Sequence, residues 1–322
     1  MTLAGHDEAW REWRAAMASG RMHHAWLLVG PRGLGKGAFA RDAAAMLVAE
    51  PGAAQPPVAA HPDILILDHL PSDDDEAKKR DDGKPFKVKR NITIDQVRKV
   101  QGRLNTRPTL GSRRAVIIDP ADDMERGAAN ALLKSLEEPP QGSFFLLVAH
   151  QPSRLPPTIR SRCRVVRFSP LPDADVDALL RREAPQADAA TRAAALLAAR
   201  GSPGAALTFV ERNLAPLEAL VLRLISEGDP GLVLRTALAD ALGQRPDRDR
   251  VLALFDLSRG ALADRLGSAT PAQQAKIIAA NTALTGLAAQ APTYNFDAAL
   301  LVMEIGGLLA SAAMPRETST HS

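Results

Sequence analysis

The sequence holds a single cysteine, Cys163, among 322 residues. One thiol cannot form an internal disulfide or an all-cysteine zinc site, and its scarcity fits a reducing compartment, with the cytoplasm as the default. Charge of one sign is also missing. The 40 basic and 37 acidic side chains leave a net +3, too balanced to argue nucleic-acid binding, so any DNA contact must be local. No run of about 18 apolar residues occurs, and the opening MTLAGHDEAWREWR has no apolar core. Neither a membrane span nor a signal peptide is expected. No internal repeat of fixed period is visible.

What is present is the texture of an ordinary multidomain protein, 46% hydrophobic and 24% charged, long enough for two or three cores. Short apolar runs at 26–29, 64–67, 115–118, 144–149 and 165–168 read as buried strands, and the helical patterns between them imply a parallel α/β sheet. Thr93 and Gln96 match a capping box, and Ile94, Val97, Val100 and Leu104 then recur at helical spacing, with Pro108 as the stop. After residue 171 the strand signal ends. Three short helical patterns follow within 172–212, and longer amphipathic segments fill 213–314 as a separate bundle. The polar tail 315–322 is expected to fray. Residues 71–90 carry Asp73, Asp74, Asp75 and Glu76, then Lys78, Lys79 and Arg80. They read as a solvated insertion loop, the alternative being a DNA contact through Lys84, Lys87, Lys89 and Arg90.

The chemistry-bearing pattern is Gly30-Pro31-Arg32-Gly33-Leu34-Gly35-Lys36, between a strand and a helix, the context a phosphate-binding loop requires. Glycines turn backbone N–H groups around phosphate oxygens, the helix N-terminus adds positive potential, and the lysine neutralises phosphate charge. The next position should offer a hydroxyl to magnesium, but it is Gly37. Asp119 closes the strand at 115–118, where an acidic element is expected, and Pro120 follows in place of a second carboxylate. Metal bridging of phosphate oxygens is thereby weakened, and hydrolysis should suffer most. The loop could be a turn that merely keeps its sequence or a residual nucleotide site. Asp119 could cap the next helix or pair with Lys36.

Three stretches carry a family resemblance: His23-His24-Ala25-Trp26-Leu27-Leu28-Val29-Gly30-Pro31, the run Asn130-Ala131-Leu132-Leu133-Lys134-Ser135-Leu136-Glu137-Glu138-Pro139-Pro140, and Ser161-Arg162-Cys163. Together they resemble the bacterial clamp-loader subunits of DNA polymerase III over the first 212 residues. The resemblance implies an α/β plus all-α chain: a RecA-like AAA+ domain with a parallel five-stranded sheet (1–171), a small helical lid (172–212) and a C-terminal helical collar (213–314). It implies a heteromeric loader with gamma/tau and delta subunits that opens the sliding clamp and places it on primed DNA, away from membranes. Within the family four departures favour the delta-prime branch. Gly37 replaces the metal-binding hydroxyl, Pro120 the glutamate, Ala149-His150 a threonine sensor, and Gly204 a sensor arginine. ATP and Mg²⁺ binding are therefore in doubt. Relatives often carry a four-cysteine zinc module before a His-Pro-Asp sequence. Here His61-Pro62-Asp63 lacks those cysteines, so zinc is not expected and His61 is a loop or packing residue.

What the resemblance retains is Arg162, which the family uses as a finger into a neighbour's nucleotide, stabilising charge on the transferred phosphoryl group. Arg154, Arg160, Arg164 and Arg167 read as a solvated basic edge, and Cys163 as a packed thiol. His23 and His24 are expected to pack or cap, and Trp10 and Trp13 to mark core contact. The implied subunit is non-catalytic by itself. A gamma-like ATPase that recruits metal through water is the enzyme alternative, and an unrelated P-loop DNA-repair motor or regulator is a third class.

Overall fold

The computed structural model describes residues 5–20, 22–50, 52–243, 246, 248–290 and 298–313, so the tail expected at 315–322 lies outside the described residues. Two compact units divide the chain, Met1–Leu171 and Pro172–Ser322. Among the described residues no helix is long and apolar enough to cross a membrane.

In the first unit, helix α1 (Asp7–Ala18) leads into strand β1 (Ala25–Val29), helix α2 (Lys36–Val48) and strand β2 (Ile64–Leu67). Helices α3 (Asp74–Asp81) and α4 (Ile94–Leu104) precede β3 (Arg114–Ile118), and α5 (Arg126–Glu137) precedes β4 (Ser143–Ala149). A single-turn helix, α6 (Pro157–Arg160), ends before β5 (Arg164–Arg167). All pairings are parallel, in the order β2-β3-β4-β1-β5. The expected five strands form within a residue or so of their apolar runs, but β5 is not the buried strand expected: it is an edge strand that buries only Val166.

Parallel sheets need cover on both faces, and the period-two alternation of strand side chains supplies it. Trp26 and Leu28 join Ile117, Leu146 and Val148 in one core, closed by Trp13 of α1 and Phe39, Ala43 and Leu47 of α2. Leu27 and Val29 join Val116, Ile118 and Leu147 in the other, closed by Val97 and Leu104 of α4 and Leu132 and Leu136 of α5. Trp13 and Trp26 are fully buried and meet edge to face at 5.0 Å, a geometry worth about 1 kcal/mol beyond area burial. The capping box forms as its sequence indicates, with Gln96 Oε1 accepting the Thr93 N–H at 3.0 Å.

The stretch at 71–90 departs from the expected loop, because Asp74–Asp81 is helical. Asp73 caps it by accepting the Glu76 N–H at 2.9 Å. Acids then fill the first turn and Lys78, Lys79 and Arg80 the last, matching the helix dipole at both ends. The block of charge that suggested a solvated loop is the charge order of a short helix.

The second unit consists of helices and their connections, with no strand among its described residues. Helices α7 (Asp173–Glu183), α8 (Ala189–Ala199) and α9 (Pro203–Glu211) pack together. Next come α10 (Ala215–Glu227), α11 (Val233–Leu242), α12 (Arg248–Leu266), α13 (Pro271–Gln290) and α14 (Ala298–Ser311). Helix α10 lies against α11, α12 and α14, burying Leu217, Val221 and Leu224 together with Leu238, Phe255 and Ile305. Asp229, itself buried, starts α11 by accepting the N–H groups of Leu234 and Arg235, both at 3.0 Å.

Candidate functional site

The glycine-rich loop leaves the C-terminal end of β1, bends through Gly30 and Gly33, and enters α2 at Gly35. Gly35 is the N-cap of α2, with φ 79°, a left-handed conformation natural to glycine. At Gly30 a side chain would meet the Phe168 carbonyl oxygen at 2.5 Å. The lysine is fixed. Lys36 is buried, and its ammonium donates to the carbonyl oxygens of Gly30 and Pro31, each at 2.6 Å. Burial lowers its pKa to about 8, against the opposing pull of Asp119 and Asp122, and the two carbonyl bonds also favour the charged form. One of the three N–H donors of the ammonium remains for a phosphate oxygen.

The pairing of Lys36 with Asp119 does not form. Asp119 instead faces Arg41, Oδ2 to Nη1 3.7 Å. Arg41 lies four residues beyond Gly37, one helical turn on. A Cβ on Gly37 would be closer to Asp119 Oδ2 than the 3.0 Å real Cβ atoms keep, and would lie 3.0 Å from Arg41 Nη1. The space a side chain's Cβ would take at position 37 is thus crowded by a carboxylate and its guanidinium partner. Burial raises the pKa of Asp119, opposed by Arg41 and Lys36. The residues present fit a phosphate group, through Lys36 and the glycine backbone. They do not fit a magnesium-bound one, since the hydroxyl is absent and its attachment point is crowded.

The neighbouring acids hold loops. Asp122 accepts the N–H groups of His150 and Gln151 at 3.0 and 2.8 Å, fixing the chain after β4. Asp123 meets Arg154 at 3.0 Å, His69 at 3.4 Å and Arg32 at 3.8 Å. Burial would raise the Asp123 pKa, but the His69 imidazole 3.4 Å away and the Arg154 charge outweigh it, leaving the carboxyl below its ordinary value. Ala149 is fully buried at the end of β4. His150 follows, its pKa lowered to about 4 by burial and by Lys36 and Arg32. Gly204 lies in the first turn of α9, in the second unit. Arg41, Asp122, Asp123 and His69 escape the sequence reading. Only Asp122 and Asp123 carried a signal, as acids following a predicted strand.

Arg162 lies at the other end of the sheet. Trp26 pairs with Arg164 and Val29 with Arg167, so Arg162 precedes the N-terminal ends of these parallel strands, whereas the glycine loop leaves their C-terminal ends. Its guanidinium meets Glu137 Oε1 at 2.7 Å and donates to the Thr158 carbonyl at 3.0 Å. That ion pair joins Ser161-Arg162-Cys163 to the end of the Asn130–Pro140 run. His24 adds a third tie to this corner, Nε2 to the Leu136 carbonyl oxygen at 2.9 Å. Cys163 packs against the α4–α5 core, and burial raises its thiol to about 12, which leaves it a poor nucleophile near neutrality. Among the other arginines, Arg154 pairs with Asp123, and Arg164 pairs with Glu12 at 2.6 Å. His61 is buried, its Nδ1 accepting the Asp63 N–H and its Nε2 lying 2.8 Å from Gln55 Oε1. Among the described residues no cluster of His, Cys, Asp and Glu could hold a metal ion.

Comparison with known proteins adds a family. Residues 5–172 match the profile of the family described as DNA polymerase III, delta subunit. The DNA polymerase III subunit delta′ of Pseudomonas aeruginosa is 38% identical over 178 residues, covering 51% of this chain and 49% of that protein. The delta′ subunit of Escherichia coli is 42% identical over 127 residues, 39% of this chain and 38% of its own. The gamma/tau subunit of Mycobacterium tuberculosis is 29% identical over 218 residues, 66% of this chain and 36% of its own. The chain spans about half the length, or less, of these curated relatives. Among solved structures, a gamma-subunit-related protein of Thermotoga maritima superposes with a TM-score of 0.46 and 21% identity, covering 94% of this chain and 98% of that one.

Proposed function

The chain belongs to the clamp-loader delta-prime family of DNA polymerase III, and from that premise we propose that it acts as a non-hydrolysing subunit lending Arg162 to a neighbour's nucleotide. In this reading it assembles with gamma/tau and delta subunits in the cytoplasm, 172–212 forming a lid and 213–314 a collar. The assembly opens a sliding clamp and places it on primed DNA.

One observation carries the finger assignment: Arg162 and the glycine loop occupy opposite ends of the same parallel strands. With strand residues rising about 3.3 Å each, four paired positions alone separate the two by roughly 10 Å. Any nucleotide Arg162 touches therefore belongs to another subunit. The non-hydrolysing half of the reading draws support from Gly37, where the Asp119 and Arg41 side chains crowd the space a side chain's Cβ would need.

The test is reconstitution with gamma/tau and delta. Arg162→Ala should assemble normally yet slow hydrolysis at the site it faces, about 10³-fold in single turnover if it acts as other arginine fingers do. Lys36→Ala should leave the stimulated ATPase of the complex near its wild-type value. Unchanged turnover in Arg162→Ala removes the finger. Magnesium-dependent ATP turnover by the isolated chain, lost in Lys36→Ala, would establish the gamma-like alternative instead.

A further inference from the structure

The segment between β2 and α4 serves neither the glycine loop nor Arg162, yet it is built with care. Pro71 bridges Val88 in antiparallel fashion. The Ser72 N–H donates to the Lys87 carbonyl at 3.0 Å, and the Lys89 N–H to the Leu70 carbonyl at 2.6 Å. Inside this clasp the buried Glu76 accepts the Lys87 N–H at 2.7 Å and the Lys79 ammonium at 2.6 Å. The chain from Lys87 to Lys89 is thus held extended by three backbone donors with fixed acceptors.

The cations of the clasp fall into two sets. On α3 and the turn after it each has an acid: Lys78 with Asp75, Lys79 with Glu76, Arg80 with Asp81 and Lys84 with Asp82. On the returning stretch, Lys87 and Lys89 are exposed and form no ion pair among the described residues. No carboxylate occurs between Asp82 and Asp95, while Lys84, Lys87, Lys89 and Arg90 all do. Residues two apart on extended backbone share a face and lie roughly 6.6 Å apart. Lys87 and Lys89 therefore carry two positive charges on one face from backbone positions that are held in place. A merely solvated lysine run would need no N-cap, bridge or buried glutamate beneath it.

The geometry points to a nucleic-acid backbone as the partner of this clasp, with Lys87 and Lys89 contacting successive phosphates. Lysines on flexible stems suit phosphate contact that positions a strand without reading its sequence. The choice of DNA as the polyanion rests on the clamp-loader reading, whereas the contact residues come from the clasp itself.

The experiment measures binding of fluorescein-labelled primed DNA, single strand and duplex by anisotropy, with the full chain and with the reconstituted loader, from 50 to 200 mM salt. Two lost phosphate contacts should lower the slope of log affinity against log salt by about 1.8 on duplex or about 1.4 on single strand. The deficit of Lys87→Gln/Lys89→Gln relative to wild type should therefore grow roughly tenfold as salt falls from 200 to 50 mM, with an unchanged melting temperature. The control Lys78→Gln/Arg80→Gln removes the same charge from the paired helix and should change affinity little. The probe showing the larger loss identifies single strand or duplex as the ligand. Wild-type affinity and slope in the Lys87/Lys89 variant would overturn the assignment, as would an equal loss in the control. In either case an ATPase defect in Arg162→Ala would leave the finger standing. Failure of wild-type chain and loader to bind any of the three probes would sink both readings.

Discussion

Replacing Gly37 by alanine tests whether the missing side chain at the end of the glycine loop is a structural requirement. Gly37 is the second residue of α2 and is not among the glycines with positive φ, so the backbone accepts alanine. Helix propensity alone would make the change stabilising by up to about 1 kcal/mol. The contact works against it. The new Cβ would press on Asp119 Oδ2, and turning that carboxylate away would cost its contact with Arg41. Forced overpacking of this kind costs about 1–3 kcal/mol, so a net loss of about 1 kcal/mol is expected. For a unit of this size that lowers the midpoint of thermal unfolding by roughly 2–4 °C. In an Asp119→Ala background the obstruction is gone, and Gly37→Ala should become stabilising. The double-mutant cycle, read by urea unfolding, should show a coupling of about 2 kcal/mol. Additive effects, or a stabilising Gly37→Ala in the wild-type background, would refute the claim that Asp119 occupies this space. By the same reasoning Gly37→Ser alone should not create Mg-ATP binding, because the new side chain meets a crowded position.

Two further outcomes follow from buried groups. Asp63 and Arg114 form an almost fully buried ion pair at 3.2 Å, with Asp63 also accepting the Thr109 and Leu110 N–H groups. Asp63→Ala should cost about 3–5 kcal/mol in urea unfolding by stranding the guanidinium, and Asp63→Leu/Arg114→Met should recover part of that loss. His150 titrates at about 4 in the fold against about 6.5 unfolded, so between those values the unfolded chain binds the extra proton. Its contribution is complete above about pH 6.5 and is lost as pH falls toward 4, on the order of 3 kcal/mol. His150→Leu should flatten the urea-midpoint profile in that window, and an unaltered profile would show that His150 is not the titrating group.

Four of the five strands were legible because each is a short apolar run buried on both faces, whereas β5, at the sheet edge, buries only Val166 of its four residues. Trp26 through Val29 needed no periodicity argument, since all four positions are buried. The capping box at Thr93 and Gln96 was equally local. What escaped were relations between distant positions. Nothing near Arg41 marks it as the partner of Asp119, 78 residues on, because an arginine on an amphipathic helix ordinarily faces solvent. The Arg162–Glu137 pair was out of reach for the same reason, although each residue stood in a recognised motif. At 71–90 the failure was one of scale. Ser72-Asp73 followed by Glu76 is a helix-start signal, but the density of charge around it favoured the loop.

The acids at the C-terminal end of β3 support the proposed non-hydrolysing reading beyond what the loop's sequence offers. An ATPase keeps carboxylates here to hold magnesium and orient water. In this chain Asp119 is committed to Arg41, Asp122 to the backbone of His150 and Gln151, and Asp123 to His69, Arg154 and Arg32. Each contact would be broken by turning the carboxylate toward a metal, and for Asp122 that would release the turn after β4. Substituting one residue at a time therefore meets opposition from the packing already in place. On the proposed non-hydrolysing reading, creating hydrolysis here would require freeing Asp119 from Arg41, introducing a hydroxyl at position 37 and supplying a second acid at position 120 together.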